Sequence, residues 1–190
     1  MLRIGVIGQS GAVSAEVYDL AIEVGREIAA RGAVVLTGGT NGVMEAVSKG
    51  AKTAGGLVVG ILPGDHLDAA NSYVDIPITT GLSFDYRSLI LVHSSDAIIM
   101  IGGENGTLGE LSTAYLNCKP IVVIEPSGGW AARVRSVAYD GLYMDTRRTV
   151  KLDYANTAKE ALDVIVAKAG TCSGQGAAGN GPQHEESVRR

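Results

Sequence analysis

The fold is decided by the stretch DAIIMIGGENGT, residues 96–107. Its residues 97–101, AIIMI, form an unbroken aliphatic run. Such a run is typical of a strand that is buried on both faces of a parallel sheet. The run leads directly into glycines, and a helical pattern follows over 107–117. A strand, a glycine-rich turn and a helix in this order form the repeating unit of an α/β protein.

The same unit recurs along the chain. Strands are predicted at 2–8, 33–37, 57–62, 96–101 and 120–124, with a weaker extended segment at 73–79. Helices are predicted near 14–31, 42–54, 84–94, 107–117 and 157–169. Right-handed crossovers between such strands place helices on both faces of the sheet. The sequence therefore predicts an α/β fold of the Rossmann-like, doubly wound type, with a mainly parallel sheet.

Two segments depart from this regular pattern. Residues 126–150 suggest a Gly-Gly-Trp turn, then a helix that carries Arg133 and Arg135, then an edge strand. From Gly170 onward the chain is rich in glycine and polar residues and has too little apolar surface to offset the entropy of ordering. We therefore expect one domain over 1–169 and a flexible glycine-rich tail over 170–190.

Composition limits the classes of partner. The net charge of −4 argues against a nucleic-acid partner, since phosphate-backbone affinity needs clustered Lys and Arg. No apolar stretch approaches the roughly 18 residues of a membrane span. The two cysteines offer neither a disulfide framework nor a metal knuckle, and only three histidines are present, so no metal site is expected. A cytoplasmic protein is the simplest interpretation.

Three strand-to-helix turns are rich in glycine, and in a parallel sheet all of them open at the same edge. Each turn precedes a helix, whose free N–H groups and dipole favour an anion such as phosphate. The plain alternative is that these are tight turns whose backbone requires glycine. The candidate phosphate-binding residues are Gly8, Ser10, Gly11, Gly38, Gly39, Asn41, Gly42, Gly102, Gly103, Gly106 and Thr107.

The turns do not match the common nucleotide motifs. The first glycines, Gly5, Gly8 and Gly11, are spaced three apart rather than as G-x-G-x-x-G, and no acidic residue ends the second strand to hold a ribose. No Gly-Lys-Ser/Thr follows any of the turns, which excludes a P-loop. Because the dinucleotide pattern and its acidic residue are missing, an NAD-dependent oxidoreductase is not expected.

Two side chains are candidates for chemistry, Glu110 in the helix after the third turn and Arg87 in the helix predicted at 84–94. Glu110 faces the predicted crevice, where a carboxylate could stabilise oxocarbenium charge during cleavage of an N-glycosidic bond. Thr107 and Glu110 also fit a capping box, as Thr157 and Glu160 do at the last helix. Arg87 stands near a helix start, where it opposes the dipole, so it suits a phosphate or carboxylate contact. The alternative for Arg87 is a salt bridge to Asp85 or a neighbouring Glu.

These blocks together resemble a known superfamily. TGGTNGVMEAV at 37–47, GGLVVGILP at 55–63 and the G-G-x-x-G-T-x-x-E pattern at 102–110 are similar to the "lonely guy" (LOG) cytokinin-activating phosphoribohydrolases. Three features look closer to a sister branch with the molybdenum-cofactor carrier proteins, namely IGG at 101–103, KPIVV at 119–123 and GGW at 128–130. Relatives are often labelled "putative lysine decarboxylase".

The resemblance implies roles for individual residues. Glu110 matches the family's catalytic glutamate, and Arg87 matches its active-site arginine. Ile101 stands where the hydrolases have proline, and Ser88 stands where they have lysine. These departures count against hydrolase activity and leave phosphate binding intact. Relatives form dimers and larger assemblies, so we expect a homodimer or a homotetramer.

Two functions follow from the sequence. The first is binding of a nucleotide-like phosphate ligand, an AMP-like nucleoside monophosphate or a molybdenum cofactor, as a carrier or sensor that requires no further cofactor. The alternative is a nucleoside 5′-monophosphate phosphoribohydrolase that uses Glu110 and Arg87. Single-stranded DNA binding is disfavoured by the acidic balance. A pyridoxal-dependent lysine decarboxylase needs a Schiff-base lysine at the site. All six lysines are predicted away from the glycine edge: Lys49, Lys52, Lys119, Lys151, Lys159 and Lys168.

Overall fold

A computed structural model of the protein describes residues 1–172 and contains one seven-stranded sheet in which every neighbouring pair of strands is parallel. The strand order is β4-β3-β2-β1-β5-β6-β7. The strands are β1 (Arg3–Gly8), β2 (Val34–Thr37), β3 (Leu57–Leu62), β4 (Ile76–Thr79), β5 (Ala97–Ile101), β6 (Ile121–Ile124) and β7 (Leu152–Ala155).

The described part of the chain contains six α-helices, five of which lie between strands, while the sixth follows the last strand. They are α1 (Ala15–Ala30), α2 (Val43–Thr53), α3 (Phe84–Ser94), α4 (Asn105–Leu116), α5 (Val134–Val137) and α6 (Ala158–Cys172). Two short 3-10 turns cover Leu67–Ala69 and Glu125–Ser127. Among residues 1–172, no helix has the length and apolarity needed to cross a membrane.

The sheet separates two aliphatic cores. One core packs α1, α2 and α6 against one face, and the other packs α3, α4 and α5 against the opposite face. Alternation along β5 shows how one strand serves both cores, since Ile99 and Ile101 enter the first and Ile98 and Met100 the second. Burial on both faces explains why the strands read as continuous aliphatic runs. The predicted doubly wound α/β fold is confirmed.

The sheet order reverses at β1, which pairs with β2 on one side and β5 on the other. Connections from β1 and β5 leave the sheet in opposite directions at this point, and a crevice opens at the strands' carboxyl ends. The turn after β1 and the turn after β5 flank that crevice. The fold thus brings the first and third glycine turns together.

Several predicted boundaries differ from the structure. The edge strand expected within 126–150 lies later, at β7, and α5 is only four residues long. Helix α4 begins at Asn105, two residues before the predicted start. Helix α6 continues to Cys172 beyond its predicted end at 169. The rest of the predicted tail, 173–190, lies outside the described residues.

Candidate functional site

A cavity of about 220 Å³ lies at the carboxyl ends of β1 and β5, between α3 and α4. Six of the predicted site residues line it: Gly8, Ser10, Arg87, Gly106, Thr107 and Glu110. Six further residues that were not predicted as site residues complete its walls: Gln9, Met44, Phe84, Asp85, Ser88 and Glu104. The reversal of strand order at β1 therefore places Arg87 and Glu110 in one cavity.

Glu110 is a buried carboxyl group in the second turn of α4, with only 7% of its surface exposed. Its Oε1 lies 2.8 Å from the hydroxyl of Ser88 on α3. Burial raises the pKa of Glu110 to about 7, although Ser88 and Arg87 both act to lower it. A carboxyl group that titrates near neutrality can act as an acid or as a base.

The predicted capping box of Thr107 and Glu110 is wrong. Glu104 precedes the first residue of α4, so Thr107 and Glu110 both lie inside the helix rather than at its cap. At α6 the Thr157 cap does form, because Thr157 Oγ1 accepts a hydrogen bond of 3.2 Å from the Glu160 amide, while the Glu160 carboxylate accepts from the amide of Asn156, one residue before the cap. Glu110 thus faces the cavity and Ser88, whereas a capping glutamate would bond the backbone at the start of its own helix.

Arg87 is the buried cation of the cavity, only 4% exposed. Its Nε has no hydrogen-bond partner in the described structure, and its electrostatic partner is Glu110. Burial lowers the pKa of Arg87 while Glu110 opposes that effect, but a guanidinium keeps its charge in proteins. No salt bridge joins Arg87 to Asp85 or to another described carboxylate, so the predicted salt-bridge alternative is wrong.

The start of α4 offers free backbone donors to the same cavity. No side chain caps the helix at Glu104, and its first backbone hydrogen bond runs from the Leu108 amide to the Glu104 carbonyl, at 3.1 Å. The amides of the three preceding residues point out of the helix start, as in any uncapped helix. By contrast, the side chain of Ser14 accepts a hydrogen bond from the Val17 amide at the start of α1.

The first two glycine turns bind each other. The Gly11 amide donates to Asn41 Oδ1 at 3.0 Å, and Gly42 packs so closely that a Cβ there would lie 2.6 Å from the Gln9 carbonyl oxygen. Gly11, Asn41 and Gly42 line a neighbouring cavity of about 470 Å³ that also includes Tyr18. This part of the predicted site lies beside the Arg87 cavity.

The remaining predicted glycines do not line the cavity but pack against residues around it. Gly38 packs against the guanidinium of Arg87, and a Cβ on Gly38 would overlap it. Gly39 packs against Leu62, and a Cβ on Gly39 would lie 2.7 Å from Leu62 Cδ2. The Gly102 amide donates to Ser127 Oγ at 2.6 Å, and the Gly103 carbonyl accepts from the Trp130 amide at 3.0 Å. These four glycines allow close backbone approach rather than facing the Arg87 cavity.

A second opening of about 240 Å³ adjoins the cavity between α3 and α4. The two spaces share four lining residues, Asp85, Ser88, Gly106 and Glu110. Glu110 and Ser88 therefore stand where the spaces meet, with Arg87 in the first. Among the described residues, no group of three or more His, Cys, Asp or Glu is placed to hold a metal ion.

Ser88 is the most consequential residue that the sequence did not identify as a site residue. Its position one residue after Arg87 was noted only as a departure from the hydrolase pattern. The available signal was that a hydroxyl stands directly after an arginine, at the point where the helix sequence becomes apolar. Which carboxylate that hydroxyl would meet depends on the packing of α3 against α4, and that packing is not encoded locally.

Comparison with known proteins places the chain in a family. The model of the SLOG cluster4 family matches residues 1–162. A cytokinin riboside 5′-monophosphate phosphoribohydrolase from Mycobacterium tuberculosis is 38% identical over 123 residues, which are 60% of this chain and 65% of that protein. The chain thus spans slightly less than two thirds of this relative's length.

Solved structures are similar over nearly their whole length. TM1055, a structural genomics target, is 42% identical with a TM-score of 0.84, over 88% of this chain and 99% of that one. The molybdenum cofactor binding protein from Rippkaea orientalis is 32% identical with a TM-score of 0.77, covering 88% and 97%. The molybdenum cofactor carrier protein from Chlamydomonas reinhardtii is 31% identical with a TM-score of 0.73, covering 87% and 98%.

Proposed function

The chain belongs to the SLOG cluster4 family, and on that premise we propose that it binds a nucleotide-like phosphate ligand in the Arg87 cavity. The ligand is a nucleoside monophosphate or a molybdopterin-type cofactor, and the protein acts as its carrier or sensor. Solved structures named as molybdenum cofactor binding or carrier proteins and a relative named for a riboside monophosphate support this ligand class.

The buried guanidinium of Arg87, whose Nε has no hydrogen-bond partner in the described structure, is the observation that carries the proposal. A buried charge without a full set of partners is unfavourable, and proteins keep such charges paired or use them for ligands. Arg87 is buried, its Nε lacks a partner, and it lines an open cavity. A phosphate supplies both the opposite charge and acceptors in the geometry that a guanidinium fits.

The start of α4 adds a second set of donors. Gly106 and Thr107 line the cavity at the uncapped helix end, so their amides and the helix dipole favour an anion there. Asp85 and Glu104 also line the cavity, but both are exposed. Water and salt screen exposed carboxylates far more than the buried guanidinium, so attraction prevails where the phosphate would bind.

The shape of the site fits a ligand larger than phosphate. The two adjoining spaces of about 220 and 240 Å³ together fall in the usual range of small-molecule sites, about 300–1,000 Å³. A phosphate beside Arg87 leaves room for a sugar or a ring system near Glu110. Either proposed ligand class has this form, with a phosphate at one end and a heterocycle at the other.

Thermal-shift measurements with AMP, other nucleoside monophosphates and pterin phosphates test the proposal. We expect at least one of them to raise the melting temperature of the wild type, and Arg87→Met to abolish that rise. Arg26→Met is the matched control, because Arg26 is exposed on α1. No stabilisation by any compound, or equal stabilisation of the Arg87 variant, would contradict binding in this cavity.

Hydrolysis of a nucleoside 5′-monophosphate is the second candidate function, and Glu110 is the observation that favours it. A buried carboxyl group with a pKa of about 7 can take a proton from a water whose oxygen bonds the sugar carbon as the glycosidic bond breaks. The electron pair of that bond goes to the base, which leaves with the proton that the water gave up. We expect free adenine to appear from AMP with the wild type and to disappear with Glu110→Gln. Activity that survives this substitution would exclude the mechanism.

Self-association as a homodimer or homotetramer is proposed on the exposed apolar side chains of α3. Phe84 and Tyr86 are 60% and 63% exposed, and Leu89 is 41% exposed. Several large exposed apolar side chains on one helix favour an interaction surface there. Light scattering after size exclusion should give a multiple of the monomer mass, and Tyr86→Glu should reduce it. A monomeric wild type at high concentration would contradict this proposal.

A further inference from the structure

We propose that Ser88 is a positioning residue that sets the charge with which Glu110 meets a ligand, so that anion binding in the Arg87 cavity is coupled to proton uptake at Glu110. The coupling to binding rests on the proposed function. The interaction between Ser88 and Glu110 does not rest on it, because it belongs to the protein without ligand.

The geometry gives one hydroxyl two possible acceptors. Ser88 Oγ lies 2.8 Å from Glu110 Oε1 and 3.1 Å from the carbonyl oxygen of Phe84. A hydroxyl carries one hydrogen and two lone pairs, so Ser88 can donate to only one of these oxygens at a time. The direction of its hydrogen bond must therefore follow the protonation of Glu110.

Both proton states can be satisfied by rotation of this hydroxyl. When Glu110 is ionised, Ser88 donates to the carboxylate. When Glu110 is neutral, its own O–H donates to Ser88 Oγ, and Ser88 donates to the Phe84 carbonyl. No buried polar atom of the pair loses its partner in either state, so the change of charge avoids the penalty of an unsatisfied group. The hydrogen bond to the ionised carboxylate is the stronger of the two arrangements, so Ser88 favours the charged form of Glu110, and the nearby charges shift the balance from there.

The charged groups that face this pair come from two elements. Arg87 and Asp85 lie on α3, and Glu104 immediately precedes α4; no other ionisable side chain among the described residues lines the cavity. Burial raises the pKa of Glu110 to about 7, against the opposing effects of Ser88 and Arg87. An anion bound at Arg87 adds a like charge beside the carboxylate and favours its neutral form. Binding therefore draws a proton onto Glu110.

Titration of the free protein tests the role of Ser88. Protein carrying ¹³C at the glutamate carboxyl carbons is followed by NMR from pH 4 to pH 9, with the Glu110 signal assigned by its loss in Glu110→Gln. Ser88→Ala removes the donor that favours the carboxylate, so its midpoint should rise above the wild-type value by roughly one pH unit. Ser88→Lys places an ammonium there, so its midpoint should fall below the wild-type value.

Ser88→Thr is the conservative control, because it keeps the hydroxyl and should keep the wild-type midpoint even if the lysine variant fails to fold. A purely structural role for Ser88 would leave the Glu110 midpoint in the same place in every folded variant. Equal midpoints in the wild type and Ser88→Ala, or a lower midpoint in Ser88→Ala, would overturn the proposal.

Calorimetry with AMP at pH 7, in two buffers of different ionisation enthalpy, tests the coupling. The wild type should take up more protons on binding than Glu110→Gln, by up to about half a proton for a group with a pKa near 7. Equal uptake would refute the coupling. If AMP does not bind at all, the coupling and this ligand both fail, while the NMR midpoints still decide the role of Ser88.

Discussion

Replacement of Glu110 by Gln should change the stability of the protein in a way that depends on pH. The free energy of unfolding of Glu110→Gln, relative to that of the wild type, should rise as the pH rises. The Glu110 carboxyl ionises near its usual pKa of 4.5 in the unfolded chain, whereas burial raises its pKa to about 7 in the folded protein. Between these values the folded state binds more protons, so the stability due to this group falls as pH rises. Each pH unit of this interval corresponds to about 1.36 kcal/mol, which gives about 3 kcal/mol in total.

Urea unfolding of both proteins from pH 4 to pH 8 measures this effect. The free energy of unfolding of Glu110→Gln minus that of the wild type should increase by about 3 kcal/mol across the series. Thermal midpoints should diverge by roughly 6–12 °C, at about 2–4 °C per kcal/mol for a chain of this size. Glu104→Gln is the control, because Glu104 lines the same cavity but is exposed. A difference that stays constant with pH, or declines toward pH 8, would refute the account of Glu110.

Three further substitutions test the structure around the site. Gly38→Ala would push a Cβ into the Arg87 guanidinium, so we expect a loss of about 1–3 kcal/mol in urea unfolding; an unchanged stability would show that Arg87 does not pack there. Ser127→Ala leaves the Gly102 amide without its 2.6 Å partner, and should lower stability by about 1–3 kcal/mol. Thr157→Ala removes a helix cap and should lower stability by about 1 kcal/mol, whereas a neutral result would contradict the cap.

The fold was predictable because strands and helices have different local signatures. The aliphatic runs of β1 and β5 and the glycines after them define both the elements and the edge at which a ligand would bind. Residues 126–150 gave no such signal, because a 3-10 turn, a four-residue helix and an isolated bridge have no sustained period. The edge strand β7 was accordingly misplaced.

The candidate site was predictable in part. Arg87 and Glu110 were recognised as chemically unusual residues, and the reversal of the sheet does bring them into one cavity. The glycines were harder to assign, because a turn that cradles an anion and a turn that admits a close backbone neighbour both require the absence of a Cβ. Gly102, whose amide binds Ser127, and Gly38, which admits Arg87, belong to the second kind.

Helix packing accounts for what the sequence did not reveal. The S/T-x-x-E pattern at Thr107 and Glu110 suggested a cap, but the preceding glycine turn lets α4 start at Asn105 and buries both residues. Ser88 acquires its role only when α3 packs against α4. Neither fact can be read from a window of neighbouring residues.

A crystal structure of the protein grown with AMP or a pterin phosphate tests the central claim most directly. We predict the phosphate in contact with the Arg87 guanidinium and the first amides of α4, with the rest of the ligand extending past Glu110. A ligand held instead in the neighbouring cavity at Gly11 and Asn41, or an Arg87 cavity that stays empty at saturating ligand, would contradict the account.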